Sequence, residues 1–267
     1  MSIGRVLIVA GSDSGGGAGL QADVKTVTAL GAFAMTAVTA ITVQNTRGVF
    51  GVHAIPLDIV AAQIEAVASD IGVDVVKTGM LGTAATVHAV ADALARAAPD
   101  APRVVDPVMV AKGGHPLLEP DAVAAILARL VPGAALVTPN APEAERLTGR
   151  TVRTLEEQRA AAERLIELGA RAALVKGGHL DGAILRDVLL DADGNLVVIE
   201  SPRIETRSTH GTGCTYASAI AAYLARGAAL PDAVRRAHAY LSEAIRQAPG
   251  LGGGHGPLAH GWTFRDD

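Results

Sequence analysis

About six times along this chain a short apolar run stops at a glycine or polar residue and is followed by a segment with helical periodicity. Strands are expected at 6–10, 34–46, 74–78, 104–109, 135–138 and 172–176. Helices are expected at 20–30, 56–71, 83–97, 119–130 and 154–168, where Thr154 and Glu157 have the spacing of a capping box. A hairpin is expected from 183–190 and 196–200 around Asp191–Asn195, and closing helices over 214–224 and 231–247. Alternation of this kind implies an α/β fold: a mostly parallel sheet with helices on both faces, in a single domain over 1–267. The core must be built from alanine, valine and leucine, because apolar residues make up 49% of the chain and aromatics only 3%.

The first strand runs into GSDSGGGAG, five glycines in nine residues with Asp13 among them. Two familiar phosphate loops fit it poorly. A GxxxxGK[ST] loop needs lysine after its last glycine, and Gly17 is followed by Ala18. Gly17–Ala22 matches GxGxxA, yet the next strand ends in Gln44-Asn45 and offers no acid for a ribose. The loop is either a tight turn into the next helix or a surface that faces a ligand.

Near the C-terminus, His210-Gly211-Thr212-Gly213-Cys214 opens a helix that is small and apolar all round. Such a helix is buried. Its first turn offers backbone N–H groups without partners and the positive end of the helix dipole, which suits an anion. Cys214 is the only cysteine. It is either an inert core thiol or a thiol whose thiolate the dipole favours.

A net charge of −4 without basic runs argues against nucleic-acid and anionic-membrane partners. One cysteine rules out an intrachain disulfide and fits a reducing compartment. No stretch is long and apolar enough for a signal peptide or a spanning helix, so a soluble, cytoplasmic protein is expected.

Ligands of open α/β sheets bind at the carboxyl ends of the strands. Polar residues gather there: Asp13, Gln44, Thr78, Asp106, Asn140 with Glu143, and Lys176. An acid, an Asn/Glu pair, a lysine and an anion-binding helix turn are the parts needed for phosphoryl transfer. Motifs for nitrogen- or sulfur-ligated metals are missing, and magnesium leaves little trace in a sequence.

VAGSDSGGGAGLQADVKT, TAVTAITVQNT, VVKTGMLG, VVDPVMVAKGG, TPNAPEAERLTG, LVKGGH and THGTGCTYASAIAA together resemble the hydroxymethylpyrimidine/phosphomethylpyrimidine kinases of thiamine biosynthesis, in the ribokinase-like superfamily. The resemblance runs from about residue 6 to 227, and GGGHGPLAH resembles the family's end. It implies a three-layer αβα sandwich. It also implies ATP-dependent phosphorylation of 4-amino-5-hydroxymethyl-2-methylpyrimidine and then of its monophosphate. Magnesium with ATP is the implied cofactor set, a monovalent cation is a further candidate, and a homodimer is implied. By motif, Gly11, Asp23, Gln44 and Met80 line the pyrimidine pocket. Asp106, Asn140, Glu143 and Lys176 serve the nucleotide, with Asp106 and Glu143 toward magnesium. Gly211, Thr212, Gly213 and Cys214 form the anion hole, and Cys214 stands where sugar kinases of the superfamily carry an aspartate base. On its own residues, Asp23 reads as a solvated acid in the first turn of a helix.

Pyridoxal kinase, on the same fold, is the competing reading. A nucleotide-linked oxidoreductase lacks its ribose acid, and a non-catalytic sensor would not need Asp106, Asn140, Glu143, Lys176 and Cys214 together.

Overall fold

The structure is a computed structural model that describes residues 3–111 and 113–264. Lys112 of the VMVAKGG motif and both chain ends of the expected 1–267 domain lie outside the described residues.

Six strands run parallel: β1 (Arg5–Ala10), β2 (Phe33–Val38), β5 (Val75–Thr78), β6 (Arg103–Val105), β7 (Leu136–Val137) and β8 (Ala172–Val175). The hairpin β9 (Ile184–Asp191) and β10 (Leu196–Pro202) adds two antiparallel strands at one edge. The order across the sheet is β10-β9-β8-β7-β6-β5-β1-β2.

Side chains alternate across this sheet, so each face gathers its own core. Val6, Ile8, Val75, Val104, Leu136 and Leu174 face α1 (Gly19–Ala29), α7 (Thr212–Ala225) and α8 (Leu230–Arg246). Leu7, Val9, Val76, Val105, Val137 and Val175 face α2 (Leu57–Asp70), α3 (Ala84–Ala97), α4 (Pro120–Arg129), α5 (Ala141–Thr148) and α6 (Leu155–Glu167). The expected αβα sandwich is thus present. Alanine does much of the packing: Ala217, Ala219, Ala221 and Ala222 of α7 are fully buried. Small side chains let this helix approach the sheet closely without leaving voids.

Two expectations need correction. Residues 34–46 are two strands, not one. After β2 the chain bends at Thr39, whose N–H bonds Ala10 and whose hydroxyl bonds the Met80 carbonyl. It then leaves the main sheet as β3 (Ala40–Asn45), which pairs antiparallel with β4 (Gly48–Ala54) in a separate two-stranded flap. Gln44 therefore lies on the flap and not at the end of a sheet strand. The helix α5 is an addition, since no element was singled out between the strand at 135–138 and the helix at 154–168. Asn140 caps it: its Oδ1 accepts from Glu143 N–H at 2.9 Å, and Glu143 Oε2 accepts from Asn140 N–H at 2.8 Å. This is the same reciprocal box that starts α6 at Thr154 and Glu157. The strand expected over 104–109 also ends early, at Val105.

β1 has β2 on one side and β5 on the other, while the chain passes from β2 through the flap and α2 to β5. That reversal makes the carboxyl ends of β1 and β5 the switch point, where a crevice opens.

Candidate active site

A cavity of about 340 Å³ lies at this switch point. Its floor is a close approach of two backbones. Gly11 N–H donates to the Met80 carbonyl at 3.2 Å, and a Cβ on Gly11 would lie 2.3 Å from Met80 Cε. A side chain at this position would force the Met80 thioether to move from the cavity wall.

The glycine loop is built around Asp13. Its Oδ1 accepts from Gly15 N–H at 2.8 Å, and its Oδ2 from Gly17 N–H at 3.0 Å and Ala18 N–H at 2.8 Å. His210 Nε2 lies 2.8 Å from Oδ2. Burial opposes ionisation here, but His210 and the backbone donors outweigh it and hold the carboxyl below the usual range. Asp13 thus organises the loop and ties it to the entrance of α7. The flap docks on the same loop: Ser14 Oγ donates to the Gln44 carbonyl at 2.7 Å and accepts from Gln44 N–H at 2.8 Å. Gln44 is thereby brought to the cavity wall.

Asp23 is placed differently from both expectations. It neither lines the cavity nor meets solvent. It is fully buried, with Lys77 Nζ 2.8 Å from Oδ2 and Ser218 Oγ donating to Oδ1 at 2.7 Å. Lys77, on β5, lines the cavity in its stead.

At the opposite wall the remaining residues converge. Lys176 Nζ lies 3.2 Å from Asp106 Oδ1, which Thr138 Oγ1 also approaches at 3.1 Å. Asp106 Oδ2 is buried and has no partner. Glu143 closes this wall, its carboxyl raised to about 7 by burial, which the neighbouring charge of Lys176 partly offsets. An orphaned carboxylate oxygen beside a second acid suits a hard cation that keeps most of its waters, as magnesium does. Among the described residues there is no group of three His, Cys, Asp or Glu side chains set to hold a metal by themselves.

The turn before α7 is backbone alone. Gly211 sits at φ 84° with no side-chain cap at the helix start, and a Cβ there would lie 1.9 Å from the Gly17 carbonyl oxygen. A Cβ on Gly213 would come 3.4 Å from Lys176 Nζ. The first turn of α7 thus lies beside the Lys176 ammonium. Cys214 lies on the cavity wall, but it is not a ready thiolate. Burial pushes the thiol up to about 12 despite the charge of Lys77. The helix dipole falls within one turn and is outweighed here by loss of solvent.

A second cavity of about 200 Å³ adjoins the first and shares Asn140, Lys176, Thr212 and Gly213 with it. Asp187 from β9, Tyr216 from α7 and His238 from α8 line its depth. Asp187 Oδ1 accepts from Gly177 N–H at 2.8 Å. The Tyr216 hydroxyl sits against Asp187 but meets no partner at hydrogen-bond geometry, and the Tyr216 and His238 rings meet edge-on.

Lys77, His210, Asp187, Tyr216 and His238 were not singled out in the sequence. Lys77 alone carried a signal: it is a lone charge inside the apolar strand VVKT, and buried charges are almost always paired. Asp187, Tyr216 and His238 come together only through the crossing of β9, α7 and α8, and His210 meets Asp13 and Gln44 only where the glycine loop and the flap dock at the entrance of α7.

The chain matches the phosphomethylpyrimidine kinase family over residues 13–259. It is 56% identical over 257 residues to a thiamine biosynthesis bifunctional protein of Geobacter sulfurreducens, covering 96% of this chain and 52% of that protein. The chain thus spans about half the length of that relative. It is 52% identical to a hydroxymethylpyrimidine/phosphomethylpyrimidine kinase of Rhizobium meliloti, covering 95% of this chain and 96% of the relative. The pyridoxal kinase of Staphylococcus aureus, solved with AMP-PCP and pyridoxal, superposes with a TM-score of 0.89 at 34% identity, covering 98% of this chain and 94% of that one. Family match, curated relatives and fold agree: this chain belongs to the phosphomethylpyrimidine kinase family.

Proposed function

We propose that this chain transfers the γ-phosphoryl group of ATP to the hydroxymethyl group of 4-amino-5-hydroxymethyl-2-methylpyrimidine, and then phosphorylates the resulting monophosphate. One observation carries the reading: two adjoining cavities meet at Lys176 and the first turn of α7. The pyrimidine takes the cavity of Gly11, Gln44 and Met80. The nucleotide takes the cavity of Asp187, Tyr216 and His238, with its phosphates directed to the junction.

At that junction the chain supplies what phosphoryl transfer requires, which is positioning and neutralisation of spreading charge. Lys176 offers a cation, and Gly211–Cys214 offer backbone donors that need no reorganisation as charge develops. Asp106 and Glu143 are the residues that would hold magnesium, which when bound neutralises phosphate oxygens. Cys214 stands beside the acceptor hydroxyl as a neutral thiol. It orients that hydroxyl by hydrogen bonding, while the hydroxyl proton passes to an oxygen of the transferred phosphoryl group as the new O–P bond forms and the bond to ADP breaks. The loose transition state leaves little need for a protein base.

Among the described residues no helix is long and apolar enough to cross a membrane, and a cytoplasmic location belongs to this reading. So does a homodimer, supported by the exposed apolar side chains of the flap, Ile41, Val43, Phe50 and Val52. The test of function is ATP consumption with the pyrimidine alcohol, its monophosphate and pyridoxal side by side. Turnover of both pyrimidines at higher kcat/KM than pyridoxal is expected. Preference for pyridoxal would overturn the substrate, and no turnover of any of them would overturn the reading.

A further inference from the structure

Three side chains meet where the flap touches the entrance of α7. His210 Nε2 lies 2.8 Å from Asp13 Oδ2 and 3.3 Å from Gln44 Nε2. Gln44 Oε1 lies 3.3 Å from Thr42 Oγ1. His210 is fixed in place: its ring lies against Gly17, where a Cβ would come 2.7 Å from Cδ2, and its backbone N–H donates to the Gly256 carbonyl at 3.1 Å.

The hydrogens in this group follow from its outer members. Asp13 accepts three backbone N–H bonds on its two oxygens, so it is a carboxylate. A carboxylate oxygen 2.8 Å from Nε2 requires that Nε2 carry hydrogen. His210 therefore shows Gln44 a donor. At the other end, the Thr42 hydroxyl has one hydrogen, and the Ser12 carbonyl takes it at 2.9 Å. Thr42 therefore shows Gln44 only lone pairs. The two ends of a carboxamide differ in donors and acceptors, and its neighbours decide which way it faces. With Nε2 toward His210, donor meets donor, and with Oε1 toward Thr42, acceptor meets acceptor. A half-turn of the amide group repairs both contacts at once and moves nothing else.

We propose that His210 and Thr42 act as positioning residues that lock the Gln44 carboxamide with its oxygen toward His210 and its NH2 toward Thr42. The cavity then reads the order of groups along the edge of a bound ring. A ring nitrogen that accepts belongs on the Thr42 side, and an exocyclic amino group that donates belongs on the His210 side. A 4-aminopyrimidine carries these groups side by side, and its 5-hydroxymethyl group is next to the amino group. The His210 side of the cavity is also the side of Gly211–Cys214, since these residues follow His210 directly. The 4-oxo analogue presents the opposite order, an N–H donor and an oxygen acceptor, and meets the locked amide with both contacts mismatched.

This inference rests on the pyrimidine kinase reading and is tested apart from it. Kinetic constants are measured for the 4-amino and 4-oxo rings in the unaltered protein and in His210→Phe, His210→Gln and Thr42→Val. The unaltered protein is expected to favour the amino ring by roughly 100-fold in kcat/KM, the scale of one to two buried unsatisfied polar contacts. His210→Phe and Thr42→Val free the amide to turn and are expected to cut that ratio about tenfold or more. His210→Gln, which keeps a donor at the place of Nε2, is expected to retain it. Calorimetric affinities of both rings for the unaltered protein provide a reading that needs no variant to fold. Equal affinities, or an unchanged ratio in folded His210→Phe and Thr42→Val, would overturn the assignment. Failure of the unaltered protein to phosphorylate the amino ring would instead overturn the functional reading.

Discussion

Asp23 and Lys77 form a 2.8 Å ion pair that neither solvent nor the cavity screens on the Asp23 side, since both side chains are fully buried. Burial opposes the charge on Lys77, and the Asp23 carboxylate outweighs it, holding the ammonium protonated. The carboxylate takes donors from both Lys77 and Ser218. Removing one partner strands the other charge. Lys77→Met or Asp23→Ala should therefore lower unfolding free energy by about 3–5 kcal/mol. The double replacement Asp23→Leu/Lys77→Met should recover much of that loss. Chemical denaturation of the four proteins checks this, and single variants as stable as the parent would show the pair to be idle.

Acid should weaken the fold through His260. Burial pushes its pKa down to about 4, and its Nε2 meets Thr215 Oγ1 at 3.1 Å. Between pH 6.5 and 4 the unfolded chain holds a proton there that the folded chain does not. Stability should therefore fall as pH drops through that window, by up to about 1.4 kcal/mol per pH unit from this group. Thermal unfolding between pH 7 and 4.5 should show a flatter acid limb in His260→Gln. An identical limb would remove His260 as the cause.

The sulfur of Cys214 should react slowly. A thiol with its pKa near 12 carries almost no thiolate at neutral pH, so iodoacetamide should alkylate it more slowly than free cysteine, and bound pyrimidine should slow it further. Cys214→Ala should lower kcat by about tenfold, the scale of one hydrogen bond that orients the acceptor hydroxyl, with KM little changed. Near-normal turnover in the folded variant would leave the backbone of Gly211–Gly213 as the whole anion site.

Much of this architecture is legible from periodicity alone. The parallel strands and their helices alternate cleanly because the central strands are buried on both faces and most of the helices on one. The flap is hidden for a physical reason. Thr39 breaks a β-branched run without any glycine or proline, so 34–46 reads as one strand, and β4 contains two glycines that weaken its pattern. α5 is hidden by Pro139 and Pro142, although Asn140 and Glu143 carry the same cap spacing as Thr154 and Glu157. Of the candidate site, Gly11, Gln44, Met80, Asp106, Asn140, Glu143, Lys176 and Gly211–Cys214 come to one cavity, and Asp23 goes beneath it. A sequence shows that Asp23 is acidic, but not that Lys77, fifty-four positions on, will reach it once α1 packs beside β1 and α7.

Gln44 should matter to one substrate only. Gln44→Leu leaves the polar edge of a buried ring unpaired, at about 1–3 kcal/mol, and should lower kcat/KM for the pyrimidine accordingly. The KM for ATP should barely move, because Gln44 lines the larger cavity and not the smaller. Equal losses for both substrates would show its role to be structural.

The account turns on Lys176, which lines both cavities and pairs with Asp106 at their junction. Lys176→Gln keeps a donor toward Asp106 and removes the charge. The measurement is kcat in this variant, with pyrimidine affinity followed by calorimetry on the same sample. A fall in kcat of about 10²–10³-fold with pyrimidine affinity nearly unchanged is the predicted result. A folded Lys176→Gln protein with kcat near that of the parent would contradict transfer at this junction.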